Sequence, residues 1–281
     1  MRLAAAVRAA TARLAAVGVG SPEADAVALA GHLLGVGPGQ VRRLSALGAD
    51  APPGYAELVA ERAGRVPLQH LTGRAYFRRL TLSVGPGVFL PRPETELLAG
   101  FGATWAAALA APVVVDLCTG SGAVALSVAD EVPAAQVYGV ELAEQAYAWA
   151  VRNRDLLGLP VTLVQADATQ PVLTDLAGVV DVVLANPPYV PPGMEPLDPE
   201  VRDHDPAEAL FGGGADGLGI PLRVARTAAG LLRAGGWFAM EHADVQGDAV
   251  VTALARAGCW ADVHDHVDLN GRPRCVTARR A

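Results

Sequence analysis

Val113-Val114-Val115-Asp116-Leu117-Cys118-Thr119-Gly120-Ser121-Gly122-Ala123 decides how this chain folds. Its first five residues are aliphatic around one acid and show no alternation. That is the pattern of a strand buried on both faces, as in parallel sheets sandwiched by helices. The strand runs into Gly120-x-Gly122-x-x-Ala125, which satisfies the dinucleotide fingerprint, and a helix is predicted over 124–129. Glycines there let the backbone approach a ligand closely at a helix N-terminus. Glu141 ends the next predicted strand, where an acid can accept from both ribose hydroxyls of a nucleoside. These features suit a nicotinamide dinucleotide and S-adenosylmethionine equally.

The rest of the C-terminal two thirds continues as a βαβ series. Strands are predicted at 137–141, 161–165, 179–185 and 237–241, with helices at 146–154 and 222–232, the latter ending at Gly235-Gly236. Two further strands, 260–264 and 274–278, are separated by the tight-turn pair Asn270-Gly271, which predicts an antiparallel edge. Upstream, Leu3, Val7, Ala10, Leu14 and Val17 share one helical face. Ser21-Pro22-Glu23 opens a second helix that stops at Gly35, and two short helices are predicted near 40–47 and 53–65. The expected class is α/β: a Rossmann-like sheet with an antiparallel edge and a small N-terminal all-α domain. Its expected parts are helical residues 1–66, a connector with strand character over 67–96, and the sheet domain over 97–281. The helical part reads either as a packing appendage or as a docking module for a macromolecular substrate. The connector is expected to hold short strands: 77–84 alternates in its second half, and Pro91-Arg92-Pro93-Glu94-Thr95-Glu96 is a stiff helix start whose side chains can lie across a neighbouring site.

Composition removes several classes. With 281 residues, 52% of them hydrophobic, the chain can bury a sizeable core. Net charge is −7 and all 22 basic residues are arginine, so there is no basic stripe to grip a nucleic-acid backbone, and DNA is not an expected partner. Cys118, Cys259 and Cys275 lack metal-ligand spacing, which predicts a reducing compartment and no metal. Arg2, Arg8 and Arg13 interrupt the apolar N-terminus, unlike a signal peptide. Residues 97–115 carry no charge and match a bilayer in length, but Gly100, Gly102, Thr104 and Pro112 argue for a buried helix running into a buried strand. The expectation is a cytoplasmic protein with no membrane partner.

Asn186-Pro187-Pro188-Tyr189 follows the strand 179–185 and supplies the chemistry. Two prolines stop a strand abruptly, force the preceding residues into extended conformations and offer no N–H, so nearby carbonyls stay available as acceptors. The motif sits at the carboxyl end of a strand, where open α/β sheets bind ligands. Asn186 through its side-chain oxygen and Pro187 through its carbonyl can each accept from one planar –NH₂, with Tyr189 as an aromatic wall. A bare Asn-Pro-Pro ends many strands without function; the glycine loop upstream gives it meaning. A dehydrogenase needs a hydride acceptor and a proton donor, and this motif offers neither. Two acceptors that fix both N–H groups aim the nitrogen lone pair at an electrophilic methyl and stabilise the positive charge that develops. The residues therefore read as methyl transfer from S-adenosylmethionine, leaving S-adenosylhomocysteine, to a planar nitrogen.

On these motifs the chain resembles the bacterial release-factor glutamine methyltransferases (protein-(glutamine-N5) methyltransferases, the HemK/PrmC family). The resemblance extends through Glu200-Val201, Ala209-Leu210, Gly213-Gly214-Ala215-Asp216-Gly217-Leu218 and Asp268-Leu269-Asn270-Gly271-Arg272, and covers nearly the whole chain. It implies methylation of the Gln side chain in the Gly-Gly-Gln motif of class 1 peptide-chain release factors. It also implies cofactor binding by Cys118, Thr119, Gly120, Ser121, Gly122, Glu141, Asp167 and Asn186, and holding of the glutamine by Asn186, Pro187, Pro188 and Tyr189. Cys118 stands where the family often has Gly, Ala168 replaces an aromatic that often flanks the adenine, and His204-Asp205-Pro206 stands where Phe-Glu-Pro is common. Alternative substrates are a ribosomal-protein glutamine and, since Asn-Pro-Pro-Tyr also occurs in such enzymes, an adenine amino group in DNA.

Overall fold

The computed structural model describes residues 1–194 and 196–281. The chain divides into two units, Met1–Arg74 with Pro196–His204, and Ala75–Glu195 with Asp205–Ala281.

The first unit is all helical: Leu3–Ala16, Pro22–Leu34, Pro38–Ala46, Tyr55–Ala63, Leu68–Thr72 and the late segment Pro199–His204. Leu3, Leu14, Leu29, Ala30, Val41, Tyr55 and Val59 form its core. Val17, placed by periodicity on the buried face, is 42% exposed because the helix ends one residue earlier. Pro22 takes the first helical position as expected and Gly35 ends that helix at φ +66°, but the Ser21 side chain makes no cap bond. Pro199–His204 is held by charge. Arg62 donates through Nε to Asp25 (2.7 Å) and through Nη1 to Glu200 (2.7 Å), and Arg65 also pairs with Glu200. Residues 67–74 and 196–204, read from sequence as connector and sheet domain, thus group with the helices.

The second unit opens with a hairpin, β1 (Arg74–Phe77) and β2 (Leu80–Ser83), and the alternating second half of 77–84 is β2. Arg78 makes the turn at φ +49° and is anchored by Glu131 (Nη2 to Oε2, 2.6 Å), a tertiary contact that alternation cannot reveal. The main sheet comprises β3 (Val113–Leu117), β4 (Gln136–Glu141), β5 (Val161–Gln165), β6 (Val180–Ala185), β7 (Leu232–Glu241), β8 (Trp260–Val267) and β9 (Pro273–Arg280). Its order is β5-β4-β3-β6-β7-β9-β8; the first five strands are parallel, and β9 runs antiparallel to both β7 and β8. This is the Rossmann-like sheet with an antiparallel edge that the sequence predicts. The helix expected at 222–232 is Gly219–Leu231, and the strand after it begins at Leu232 and passes through Gly235-Gly236 instead of starting beyond them. The pairing of β6 with β7 shifts register there, and a Cβ at Gly236 would stand 3.0 Å from the Arg233 carbonyl. The glycines mark a bulge, not a helix stop. The apolar residues 97–115 are the helix Thr95–Ala107 followed by β3, and no helix among the described residues is long and apolar enough to cross a membrane.

Chain order reverses between β3 and β6, so the crevice outside their carboxyl ends is the topological switch point. The register carries one row of residues across it. Val164 pairs with Val140, Val140 with Leu117, Leu117 with Ala185, and Ala185 with Met240. One step further along each strand, Glu141, Cys118, Asn186 and Glu241 stand side by side.

Candidate active site

The glycine loop is built from β3 outward. Asp116 Oδ2 accepts from the Thr119 hydroxyl (2.5 Å) and from the Ala125 N–H (3.1 Å), tying the loop to the helix Ala123–Glu131 that follows. Cys118 adopts φ +67°, which accounts for glycine being common there in the family it resembles. Gly120, at φ +57°, faces open space where a Cβ would stand, and its N–H donates to Glu141 Oε2 (2.8 Å). Glu141 Oε1 accepts from Ala143 N–H (2.9 Å), which fixes the carboxylate at the end of β4. Thr119 and Ser121, by contrast, bury their side chains, and Gly122 packs against Leu126, so these three shape the loop from inside. Asp167 lies beyond β5 and accepts from Thr169 N–H (2.8 Å).

Electrostatically the loop is primed for a cation. Burial pushes Asp116 up to about 7, and Asp116 Oδ1 is buried with no hydrogen-bond partner among the described residues. Burial also raises Glu141, against the backbone N–H groups that bond it. Burial first, then the charges of Glu141, Asp116 and Asp167, hold Cys118 well above an ordinary thiol. Cys118 therefore presents no thiolate to compete for an electrophile. An open glycine cradle, the fixed Glu141 carboxyl and a buried Asp116 oxygen short of a partner fit a positively charged nucleoside such as S-adenosylmethionine.

The second half is the end of β6. Asn186 donates from Nδ2 to Thr95 Oγ1 (3.3 Å), Thr95 donates to Glu241 Oε2 (2.7 Å), and the Tyr189 hydroxyl donates to Glu241 Oε1 (2.9 Å). Among the described residues no protein donor reaches Asn186 Oδ1 or the Pro187 carbonyl. Burial raises Glu241, opposed by the Thr95 and Tyr189 hydroxyls and by Arg274. Behind the motif, Tyr189 N–H and Val190 N–H both donate to the Leu210 carbonyl (3.0 and 2.7 Å). Gln246 Nε2 donates to the Tyr189 and Asp216 carbonyls (2.8 and 2.7 Å). A Cβ at Gly217 would stand 2.3 Å from the Tyr189 carbonyl, so the glycine-rich 212–217 segment is a close-fitting backing for the motif.

The structure thus brings Cys118, Gly120, Glu141, Asn186, Pro187 and Tyr189 to one strand-end crevice. Sequence reading left out Glu241, Gln246 and Arg274 and gave Thr95 no specific role. Glu241 was findable as the last residue of the strand beside the one that leads to Asn186. Asp205, at the unusual His204-Asp205-Pro206, takes an ion pair from Arg92 (2.5 Å), and Arg92 also lies over the Phe89 ring. An acid in this position keeps that partner whether it is Asp or Glu.

Fold and site together define a Rossmann-like methyltransferase. A family model for the PrmC N-terminal domain matches residues 5–73, and one for a methyltransferase domain matches residues 114–194. The chain is 51% identical to a release factor glutamine methyltransferase of Streptomyces coelicolor, over 99% of this chain and 98% of that protein. It is 38% identical to a 4-amino-L-phenylalanine/4-methylamino-L-phenylalanine methyltransferase of Streptomyces pristinaespiralis, over 99% and 95%. A 16S rRNA methyltransferase of T. thermophilus, solved with AdoMet and guanosine, shares the fold at a TM-score of 0.52 and 20% identity, covering 74% of this chain and 50% of that one. The chain belongs to the release factor glutamine methyltransferase family.

Proposed function

We propose that this protein methylates the side-chain amide nitrogen of the Gln in the Gly-Gly-Gln motif of class 1 release factors, in the cytoplasm. The observation that carries this reading is the Asn186 amide. It is anchored through Nδ2 to Thr95, which leaves Oδ1 without a protein donor among the described residues, at the end of the strand that pairs with the one leading into the glycine loop. Gly120, Cys118 and Glu141 would hold S-adenosylmethionine, with Glu141 on the ribose. When bound, it supplies the methyl: a nitrogen–carbon bond forms as the carbon–sulfur bond breaks, S-adenosylhomocysteine leaves, and the nitrogen gives up a proton.

Asn186 Oδ1 and the Pro187 carbonyl accept the two amide protons, which fixes the nitrogen in space. Both oxygens stabilise the positive charge that appears on nitrogen as its lone pair is committed. No strong base is required beforehand, since the methylated nitrogen is acidic. The helical unit carries none of these groups. It serves instead to dock the release factor, because one side chain in a crevice provides too little surface to select a protein.

The test is incubation with labelled methyl donor and, separately, a release factor, its Gln→Ala form, and total ribosomal protein. Label on the first alone is the expected result; label on ribosomal protein alone moves the substrate elsewhere. The Streptomyces pristinaespiralis relative favours a second reading, in which the same holder takes an aromatic amine, and 4-amino-L-phenylalanine in the same assay tests it.

Glu141→Ala is expected to weaken cofactor affinity by about 1.5–3 kcal/mol, the usual cost of losing a charged acceptor, and to slow chemistry much less. Titration calorimetry that finds the affinity unchanged takes Glu141 off the ribose.

A further inference from the structure

We propose that Thr95 and Glu241 form a polarity relay that decides which way round the Asn186 amide stands, making Thr95 a positioning residue for the methyl acceptor. This rests on the amide-holding reading of Asn186. The oxygen and nitrogen of an asparagine side chain are nearly isosteric, and turning the group over costs little by itself. The turned-over group would present –NH₂ to the –NH₂ of the substrate, two donors face to face, and the holder would fail.

A lone hydroxyl cannot prevent this, because it donates or accepts as required. Thr95 is not a lone hydroxyl. Its side chain is buried, 4% exposed, and its oxygen lies 2.7 Å from Glu241 Oε2. Glu241, itself 2% exposed, accepts on its other oxygen from the Tyr189 hydroxyl. Both Glu241 oxygens accept from hydroxyls, so the single Thr95 proton is spent on Glu241. The remaining lone pair of Thr95 can then only accept, and it takes the Nδ2 proton of Asn186 at 3.3 Å. Oδ1 is thereby turned toward the crevice.

All of these groups belong to the sheet unit. Thr95, Asn186 and Glu241 come from three separate places in the chain: the start of the helix Thr95–Ala107, the end of β6 and the end of β7. The stiff Pro91–Glu96 stretch therefore has a chemical purpose in setting Thr95 at the head of its helix.

The experiment is a double-mutant cycle on the full-length protein, read as single-turnover methylation of a release factor. Thr95→Val, which keeps the shape and removes the hydroxyl, should slow methylation by about tenfold, as for loss of one hydrogen bond expressed in the rate. Cofactor affinity and release-factor KM should stay within about twofold, since neither depends on the direction of Asn186. Thr95→Ser should restore the wild-type rate. In an Asn186→Ala background Thr95→Val should cost nothing more, because no amide is left to orient.

If Thr95→Val loses cofactor affinity, Thr95→Ala, which gives water room to satisfy Glu241, takes its place in the cycle. A Thr95 variant that turns over like wild type, or one whose effect adds in full to that of Asn186→Ala, overturns the relay. A wild-type protein that labels no glutamine overturns the amide-holding reading itself. Label lost with Asn186→Ala but kept with Thr95→Val overturns the relay alone.

Discussion

Asn186→Ala is expected to abolish most methyl transfer while leaving the protein folded and able to bind its cofactor. The alanine removes one of the two acceptors that fix the substrate nitrogen and stabilise its developing charge. Loss of a single oxyanion-hole donor costs ~2.7–4 kcal/mol of transition-state stabilisation, roughly a hundred- to thousandfold in rate, and the acceptor deleted here is its cationic counterpart. The loss should fall on turnover, with little change in release-factor affinity, because charge on nitrogen exists only in the transition state. Asn186→Asp separates acceptor from orientation. It keeps an oxygen toward the substrate but puts a second oxygen against Thr95, whose proton already belongs to Glu241. Aspartate should therefore recover part of the alanine loss and not all of it. Single-turnover rates for the three proteins, each matched by circular dichroism and cofactor titration, give the comparison. An alanine variant at the wild-type rate would reduce Asn186-Pro187-Pro188-Tyr189 to the end of a strand.

Much of this site was legible in the sequence because it lies at strand ends. Apolar runs without alternation locate parallel strands, and in a parallel sheet the residues just past those runs fall in one row. Glu141 and Asn186 were read that way, Cys118 only through the family resemblance, and the register of β4, β3 and β6 ends one residue short of all three. Glu241 obeys the same rule but was passed over, since its importance comes from its partners. Thr95 lies 146 positions from Glu241 in sequence and 2.7 Å away in space, and no local pattern encodes such a pairing. Elsewhere a local signal was read correctly and overruled. Gly235-Gly236 has the composition of a helix stop, but pairing with β6 draws both glycines into a bulged strand. Alternation in the second half of 77–84 marks β2, while the Arg78 turn ahead of it depends on distant Glu131.

The helical unit supports the second large effect, expected for Arg62→Leu. The guanidinium bridges Asp25 and Glu200, and the Arg62 and Glu200 side chains are 8% and 10% exposed. Burial alone would raise Glu200, but sharing a proton with Asp198, which is raised in turn, and hydrogen bonds from Arg65 and Arg62 outweigh it and lower the group. Removing Arg62 leaves two buried carboxylates without their shared partner, and breaking such a pair from one side typically costs ~3–5 kcal/mol. The loss should be confined to the helical unit. Amide hydrogen exchange should quicken in Pro22–Leu34, Tyr55–Ala63 and Pro199–His204, with the strands of the sheet unit unchanged. The same cluster sets an acid limit. The lowered Glu200 carboxyl stabilises the fold above its ordinary value and loses that contribution as pH falls below it, offset in part by Asp198, which the same pairing raises. Wild-type protection in these helices should weaken below that value, and Glu200→Gln should flatten the dependence. If the helical unit docks the release factor, Arg62→Leu also raises KM for that substrate while cofactor affinity holds. Exchange in Pro22–Leu34 that is as slow in Arg62→Leu as in wild type would mean that the charge cluster does not hold the helical unit together.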